Sequence, residues 1–339
     1  MSSLDDVYKL ADDIGLDVSE FMVDAEWHRV PVTGKKKGNL SGAYCLSEFT
    51  LRNRSTVIVG MLSNHVTGRE ESVTLDGIEG VSPEEIAEAK KRARESAEAA
   101  KIEKIKSQNE VAAKAENIWS GLPDSGGSEY LKTKGVGANG IRFTRGSIVV
   151  PARDIDGKLW TLQFIKGDGT KRFLTGGAKR GRFHLLNKKH PEGIPSVIGI
   201  AEGYSTGVSV HEHLSRSLYL AIAFDAGNIL PVGEALRSRY PDSRLIFFAD
   251  HDVYNGYPQA FIRRRDCTPA VRVQIDRLAR LRPDVLVEVV TDNDPRLSDR
   301  DKHFNTGVTK ALLAAAAVNG DVIVPRFINR TINNKEATA

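Results

Sequence analysis

The chain has 339 residues, of which 40% are hydrophobic and 27% charged, and its net charge is +4 at pH 7. This length allows two or three domains with a sizeable core, and no segment is long and apolar enough to cross a bilayer, so we expect a soluble protein without a membrane partner. The only cysteines, Cys45 and Cys267, indicate neither a disulfide framework nor a cysteine zinc site, and the lack of a signal sequence favours the cytoplasm.

Residues 1–80 predict a small β-rich module, because short alternating apolar stretches are separated by glycine turns. Trp27 and Tyr44 lie on either side of a basic turn in this segment. An aromatic side chain beside such a turn is able to stack a base while lysines hold a phosphate, although both residues also suit the core of a small sheet. The candidate nucleic-acid ligands in this turn are Lys35, Lys36 and Lys37.

Residues 81–121 predict a long, mostly exposed and charged helix, since the segment is rich in Ala, Glu and Lys and poor in large apolar residues. Ser82 and Glu85 have the spacing of a capping box, and Pro83 suits the first helical position. The sequence Gly121-Leu-Pro123 is expected to terminate the helix. The mixed charges favour a solvated spacer, and a short coiled coil without clean heptads is the alternative.

Residues 122–194 predict a basic β-rich subdomain of glycine-linked hairpins. Between positions 132 and 189 the chain has 14 Lys or Arg and three Asp, a local charge of +11, so the remainder carries −7. Because each cation that neutralises a phosphate releases condensed counterions, this concentration favours a nucleic-acid or nucleotide partner over a merely solvated basic face. The candidate ligands are Arg142, Lys171, Arg172, Lys179 and Arg182.

Residues 195–327 alternate predicted strands and helices, which is typical of a doubly wound, mostly parallel sheet, and residues 328–339 form a polar tail. The expected fold class is therefore α/β. A Rossmann-like domain follows the basic β-rich subdomain, the long helix and the N-terminal module. The strands are predicted at 197–201, 218–224, 245–249, 285–290 and 322–325.

Carboxylates follow two of these apolar strands: Glu202 after the first, and Asp250 and Asp252 after the third. Parallel strands form their ligand crevice at their carboxyl ends, and alternation turns the two aspartates to one side, with His251 turned away. Hard oxygen donors suit Mg²⁺, whereas ordinary solvation of strand ends is the alternative interpretation.

Several ordered motifs accompany these carboxylates. Residues 201–207 read Ala-Glu-Gly-Tyr-Ser-Thr-Gly, residues 223–228 read Ala-Phe-Asp-Ala-Gly-Asn, and residues 248–252 read Phe-Ala-Asp-His-Asp. They resemble the Glu-Gly-Tyr-Ala-Thr-Ala motif, the intervening strand and the Asp-x-Asp motif of the Toprim domain in phage-satellite and plasmid primases. Upstream segments resemble the basic subdomain that precedes Toprim in these primases, and they are residues 130–135, 149–154, 162–165 and 171–177.

The chain also departs from this family in three ways. Ser205 and Gly207 stand where the motif usually has Ala. The zinc ribbon that often begins replicative primases is missing, so no zinc is expected, and there is no phosphate-binding loop of a fused helicase. Template recognition would therefore use another device.

The resemblance implies synthesis of short RNA primers on single-stranded DNA from nucleoside triphosphates, with Mg²⁺ or Mn²⁺, in the bacterial cytoplasm and on behalf of a phage, a plasmid or an integrated element. Glu202, Asp250 and Asp252 would be catalytic residues and metal ligands. Asp292 and Asp294, after the strand predicted at 285–290, resemble the extra acidic pair of bacterial replicative primases and are second-tier metal ligands. A separate replicative helicase is an expected partner.

Two other classes stay open at this point. The Toprim carboxylates also serve metal-dependent nucleases, which cleave phosphodiesters instead of making them. A non-catalytic single-stranded-DNA-binding or anti-restriction accessory protein of a mobile element would use the basic surface alone.

Overall fold

A computed structural model of the chain describes residues 4–34, 40–50, 56–67, 69–73, 82–186, 193–214, 218–252, 259–297 and 305–326. The chain forms two compact units, Met1–Lys104 and Ile105–Ala339, which we call the N-terminal and the C-terminal unit. The domain boundaries predicted at residues 80, 121, 194 and 327 stay predictions. No helix in the described ranges has the length and apolar character needed to cross a membrane.

The N-terminal unit is a four-stranded antiparallel meander with one helix. Its elements are α1 (Leu4–Asp13), β1 (His28–Val30), β2 (Gly42–Thr50), β3 (Thr56–Asn64) and β4 (Arg69–Val73), and the strands pair in that order. Val7 and Ala11 lie one helical turn apart and pack with Tyr44, Leu46 and Leu62 in one core. Tyr44 is thus a core residue, whereas the indole of Trp27 is 58% exposed and does not belong to the core.

The C-terminal unit begins with the second half of α2 (Pro83–Ser120) and with an antiparallel sheet. The further elements are α3 (Glu129–Lys134), β5 (Arg142–Thr144), β6 (Ser147–Arg153), β7 (Leu159–Ile165) and β8 (Lys171–Phe173), and the sheet order is β5-β6-β7-β8. Because side chains alternate along a strand, this sheet has two apolar faces. Val149 and Leu162 pack with Ala115 of α2, while Ile148 and Val150 face the parallel sheet.

The parallel sheet has the strand order β15-β12-β10-β11-β9. Its strands are β9 (His184–Leu185), β10 (Val197–Ala201), β11 (Tyr219–Ile222), β12 (Arg244–Phe248) and β15 (Asp321–Ile323), and all are parallel except β9, which pairs antiparallel with β11. We expected the segment 181–185 to belong to the basic hairpins. Instead it closes the edge of the parallel sheet, because His184 and Leu185 bond to β11.

Helices cover both faces of the parallel sheet, as the strand and helix alternation predicted. They are α4 (Tyr204–His213), α5 (Ile229–Arg239), α6 (Pro269–Leu281) and α7 (Thr306–Val318). The last three pack on one face in a core with Phe247, whereas α4 and the antiparallel sheet share the other face with Phe248. The described chain is therefore a mixed α/β protein with seven α helices in its described ranges.

Two further strands, β13 (Ala260–Arg263) and β14 (Val287–Val290), form a separate parallel pair. The strand predicted at 285–290 therefore does not join the parallel sheet, which corrects the expectation that it neighbours the carboxylate strands.

The departure at Gly207 from the usual motif alanine has a packing reason. A Cβ at Gly207 would lie 2.0 Å from the Cδ1 atom of Ile222 and 3.0 Å from Leu220. The larger side chain on β11 thus occupies the space that an alanine on α4 would need.

We expect Gly207→Ala to lower the free energy of unfolding by about 1–2 kcal/mol, because overpacking outweighs the gain in helix propensity. Ile222→Val removes the clashing Cδ1 atom, so in that background Gly207→Ala should be neutral or stabilising. Urea unfolding of the four proteins of this double-mutant cycle measures the coupling. Equal effects of Gly207→Ala in both backgrounds would contradict this packing account.

Candidate functional site

The candidate site lies at the carboxyl edge of the parallel sheet, where Glu202 leaves β10 and Asp250 leaves β12. The two strands are neighbours in register, with Ala201 opposite Phe248. The next residues therefore leave the sheet side by side, at the crevice where open α/β sheets bind ligands.

Glu202 is a buried carboxylate with other negative charges nearby. Its Oε2 atom is buried and has no hydrogen-bond partner among the residues that the structure describes. Burial raises the pKa of Glu202 to about 7, and the negative charges of Asp250 and Asp252 add to this shift, while Lys171 opposes it. A buried acceptor without a donor costs free energy, so binding of a proton or a cation to this oxygen would be favourable.

Asp250 lies in a closely packed corner of the site. Burial raises the pKa of Asp250, and a hydrogen bond from the Thr206 side chain and the charges of Lys171 and Lys134 counteract the shift. A Cβ at Gly203 would come within 4.0 Å of Asp250 Oδ2 and Thr206 Oγ1, and within 3.7 Å of Lys171 Nζ. The glycine after Glu202 thus leaves the space between these polar groups open.

Asp252 is fixed by the start of α7. The amide of Gly307 donates to Asp252 Oδ2 over 3.0 Å. The fully buried side chain of Asn305 accepts from the amide of Asp252 over 3.2 Å and from the amide of Val308 over 3.4 Å, which caps the helix. Its Nδ2 atom lies 2.9 Å from Nδ1 of His251.

The segment Asp250–Asp252 is therefore clamped from two sides by one helix terminus. A Cβ at Gly307 would lie 2.5 Å from the backbone oxygen of Asp250, so only glycine lets α7 approach this closely. Neither Asn305 nor Gly307 was predicted from the sequence to belong to the site. The available signal was an Asn two residues before Gly307, since Asn is a preferred N-cap residue and directly precedes α7.

A fourth carboxylate, Asp225, follows β11 and also raises the pKa of Glu202. It forms an ion pair with Lys179. Buried Asn228 accepts a hydrogen bond from the amide of Gly181 and donates to the backbone oxygens of Arg182 and Ala223, so it ties the basic loop to the parallel sheet. Neither Asp225 nor Lys134 was predicted from the sequence to belong to the site.

The structure separates the predicted basic ligands. Lys171 acts directly on Glu202 and Asp250, and Lys179 reaches Asp225. Arg172 is exposed on the opposite side of β8 from Lys171, because neighbouring residues of a strand face opposite ways. Lys35, Lys36 and Lys37 lie outside the described residues.

Two of the predicted ligands contact tryptophans within the fold, and their role in binding stays a prediction. The guanidinium of Arg142 lies 4.8 Å from the ring centre of Trp119 and donates to the backbone oxygen of that residue at the end of α2. The guanidinium of Arg182 lies 4.6 Å from the ring centre of Trp160. These cation–π contacts direct both side chains to structural partners within the fold.

The structure places Asp292 and Asp294 after β14, at the far end of the β13–β14 pair, and their role as metal ligands stays a prediction. The site end of this pair is marked by the oxygen of Gln259, which accepts a hydrogen bond from the amide of Asn305. The two strands run away from there for about 10 Å. Arg296 binds Asp294 over 2.7 Å and lowers its pKa, and Asp292 lies 3.9 Å from Arg265.

The donor set of the site fits a hard divalent cation. Its carboxylates offer only oxygen ligands, and Glu202 Oε2 is a buried acceptor that lacks a donor. As they stand, no three His, Cys, Asp or Glu side chains of the described residues form a complete metal-binding group. Asp252 also accepts a hydrogen bond from Gly307, and Asp250 accepts one from Thr206, so part of their lone-pair capacity is already used within the protein.

Comparison with known proteins relates the chain to plasmid-type DNA primases. It is 32% identical over 235 residues to one DNA primase TraC from Escherichia coli and 33% identical over 237 residues to another. Each match covers 68% of this chain but only 16% and 21% of the respective TraC protein, so the chain spans about a fifth or less of these relatives. No protein-family model matches the chain.

Among solved structures, the chain is similar to the primase fragment of the bacteriophage T7 primase-helicase protein. The identity is 17% and the TM-score 0.28, over 48% of this chain and 59% of that chain.

Because the pKa of Glu202 is raised in the folded state, we expect the stability of the metal-free protein to depend on pH. The folded state holds the proton more tightly than the unfolded chain, so this stabilisation is complete below pH 4.5 and is lost as the pH rises to about 7. Glu202→Gln lacks this titration, and we expect the variant to gain about 2–3 kcal/mol over the wild type between pH 5 and pH 8.

Urea unfolding across this pH range in the presence of a chelator measures the difference between the two proteins. Glu234→Gln, at an exposed position of α5, is the matched control and should follow the wild type. A constant difference between Glu202→Gln and the wild type from pH 5 to pH 8 would contradict the assigned pKa.

Proposed function

We propose that this chain is the catalytic core of a DNA primase with a Toprim domain, which makes short RNA primers on single-stranded DNA for a plasmid or another mobile element. The observation that carries the proposal is the group of Glu202, Asp250 and Asp252 at the carboxyl edge of neighbouring parallel strands, with an unpartnered oxygen on Glu202. The relatives named DNA primase support the reaction class. Because the chain spans little of those relatives, their remaining activities are not carried over.

Mg²⁺ or Mn²⁺ is the proposed cofactor, and Glu202, Asp250 and Asp252 would hold it. When bound, such a cation neutralises charge on the triphosphate and lowers the pKa of an attacking hydroxyl. Glu202 Oε2 is available as a ligand because no donor in the described part of the chain bonds to it.

The protein's own groups prepare this edge for a phosphate chain. Lys171 and Lys134 act on Asp250 from two different elements, β8 and α3, and so bring positive charge beside the carboxylates. A triphosphate held by these lysines is positioned for attack by a primer hydroxyl on its α-phosphorus, with release of pyrophosphate. Glu202 would alternatively take up the hydroxyl proton, since its buried Oε2 atom has no partner among the described residues.

Lys179 would bind phosphate only by exchanging its ion pair with Asp225. In the structure it pairs with Asp225 and lies 5.9 Å from the ring centre of Phe173. A phosphate that approached this corner would compete with Asp225 for the ammonium group. Arg172, on the outer side of β8, would contact the template strand rather than the triphosphate. A separate replicative helicase is the proposed protein partner.

We expect Asp250→Asn to lower primer synthesis by about 1,000-fold or more, because it removes a ligand charge from the site. The assay incubates the protein with single-stranded DNA, labelled ribonucleoside triphosphates and Mg²⁺ or Mn²⁺. Asp292→Asn is the matched control and should keep wild-type activity, since Asp292 lies at the far end of the β13–β14 pair.

The same assay separates the other classes. Shortened template without new products would indicate a nuclease, and template retardation without chemistry would indicate an accessory DNA-binding protein. Wild-type synthesis by Asp250→Asn would contradict the proposed site.

A further inference from the structure

Two polar side chains of β7 lie in the interface between the two sheets of the C-terminal unit. Thr161 and Gln163 are two positions apart and share the face of β7 that turns towards the parallel sheet. Gln163 is paired with Val150, which belongs to the core that the two sheets share. Thr161 is fully buried and Gln163 is 3% exposed. The neighbouring positions on this face are apolar, so two polar groups here need an explanation.

Neither side chain has a hydrogen-bond partner within the described ranges. The Oγ1 atom of Thr161 is buried and unpartnered. No hydrogen bond joins the carboxamide of Gln163 to another described residue. A buried carboxamide without partners costs free energy, whereas a leucine of similar size in its place would not. A ligand that hydrogen-bonds to the carboxamide would remove this cost.

The two groups differ in what covers them. A Cβ at Gly177 would lie 2.2 Å from Thr161 Oγ1, so the backbone of the loop after β8 lies directly against this hydroxyl. Gln163 is instead paired with Phe173 of β8, and the ring of Phe173 is only half-buried. A ligand beside Phe173 would therefore reach the carboxamide of Gln163 but not the hydroxyl of Thr161.

The carboxamide of Gln163 lies close to the lysine that we assign to the triphosphate. Lys171 is on the same face of β8 as Phe173, which makes it the diagonal neighbour of Gln163, roughly 7–8 Å away. The charge of Lys171 acts on the carboxylates of the site. The ammonium group of Lys179 lies 5.9 Å from the ring centre of Phe173. Gln163 is thus the nearest unpartnered polar side chain of β7 to these two cations.

The backbone that packs against Phe173 is strained. Phe224 meets Phe173 edge-on at 5.3 Å and has a φ of +75°. This left-handed conformation is an outlier for a bulky residue, and such residues cluster at active sites and ligand clamps. Asp225 follows directly, and its charge acts on Glu202. The strain and the unpartnered carboxamide therefore occur on two sides of the same aromatic ring, next to the carboxylate site.

We propose that Gln163 hydrogen-bonds to the 2′-hydroxyl of the incoming nucleoside triphosphate and so selects ribonucleotides over deoxyribonucleotides. A carboxamide both donates and accepts, which matches a hydroxyl group. The sugar directly follows the phosphates, so a triphosphate held by Lys171 brings the ribose next to this carboxamide. The 3′-hydroxyl must stay free for the next addition, which leaves the 2′-hydroxyl as the partner.

This assignment rests on the proposed function, because that proposal places the triphosphate at Lys171. A deoxyribose would leave the carboxamide of Gln163 unpaired. Sites of this kind reject an analogue that lacks the hydroxyl far more strongly than an apolar pocket does.

The test compares ribo- and deoxyribonucleoside triphosphates in primer synthesis by the full-length protein on single-stranded DNA, as a ratio of kcat/KM values. We expect the wild type to prefer ribonucleotides by roughly 10⁴-fold and Gln163→Leu by about 10-fold or less. The loss should come from poorer use of ribonucleotides. Use of deoxyribonucleotides should stay unchanged or improve, because leucine fills the space and leaves no group unpaired.

Thr161→Val is the matched control. It removes the other unpartnered group from the same face of β7 at nearly constant volume, and Gly177 covers that hydroxyl. This variant should therefore keep the wild-type preference. The wild-type ratio in Gln163→Leu would overturn the inference, and so would equal losses with both kinds of nucleotide, since a purely structural glutamine predicts one of these results.

Calorimetric titration of ATP and dATP with Mg²⁺ and without template gives a second readout that needs no primer synthesis. The wild type should bind ATP more tightly than dATP, and Gln163→Leu should bind the two alike. Equal affinities of the wild type for ATP and dATP would overturn the inference. If none of the proteins made primers but the titration gave the expected difference, the proposed function would fail while the role of Gln163 in binding ribonucleotides would stand.

Discussion

The side chain of Asn305 is the interaction on which the carboxylate site depends. It is fully buried, and its oxygen serves two amides at once, that of Asp252 at the end of the parallel sheet and that of Val308 in the first turn of α7. One amide group therefore fixes both the helix and the acidic segment. With Gly307 bonded to Asp252 Oδ2, the positive end of α7 faces the carboxylates.

The opposite wall of the site depends on the core that the two sheets of the C-terminal unit share. Phe173, two residues after Lys171, packs edge-on against Phe224 at 5.3 Å, which holds β8 at the carboxyl end of β11. Tyr204 of α4 accepts a hydrogen bond from the amide of Asn139, and His184 Nε2 lies 2.8 Å from the oxygen of that residue. Burial lowers the pKa of His184 to about 4, so the ring is neutral and donates this bond. Lysines and carboxylates thus meet because buried side chains fix the elements that carry them.

The sequence alone predicted the elements with a strong local pattern. The apolar run before Glu202 is β10 with the same bounds, and the alanine-rich charged segment is α2 within two residues at each end. Both patterns are local, because a strand buried on both faces and an exposed helix are recognisable from composition. The adjacency of Glu202 and Asp250 followed from the rule that parallel strands end at one edge.

What the sequence could not provide depends on contacts between distant segments. The stacking of Arg142 and Arg182 on tryptophans uses the same residue type that binds phosphate, so charge counts cannot separate the two uses. Asp292 and Asp294 were misplaced because strand β13 is only four residues long, and an unrecognised strand changed the partner of the next one. Asn305 had only a capping signal, and its bond to Asp252 spans 53 positions.

Calorimetric titration of Mn²⁺ into three folded proteins tests most directly whether Asn305 positions the acidic segment for the proposed divalent cation. We expect the wild type to bind one Mn²⁺ and Asn305→Ala to bind it about 10-fold more weakly or worse, as for other residues that orient metal ligands. Thr268→Ala removes a helix cap of the same kind from α6, where Thr268 accepts only from Val271, and should bind like the wild type. Unchanged Mn²⁺ affinity in a folded Asn305→Ala protein would contradict the account.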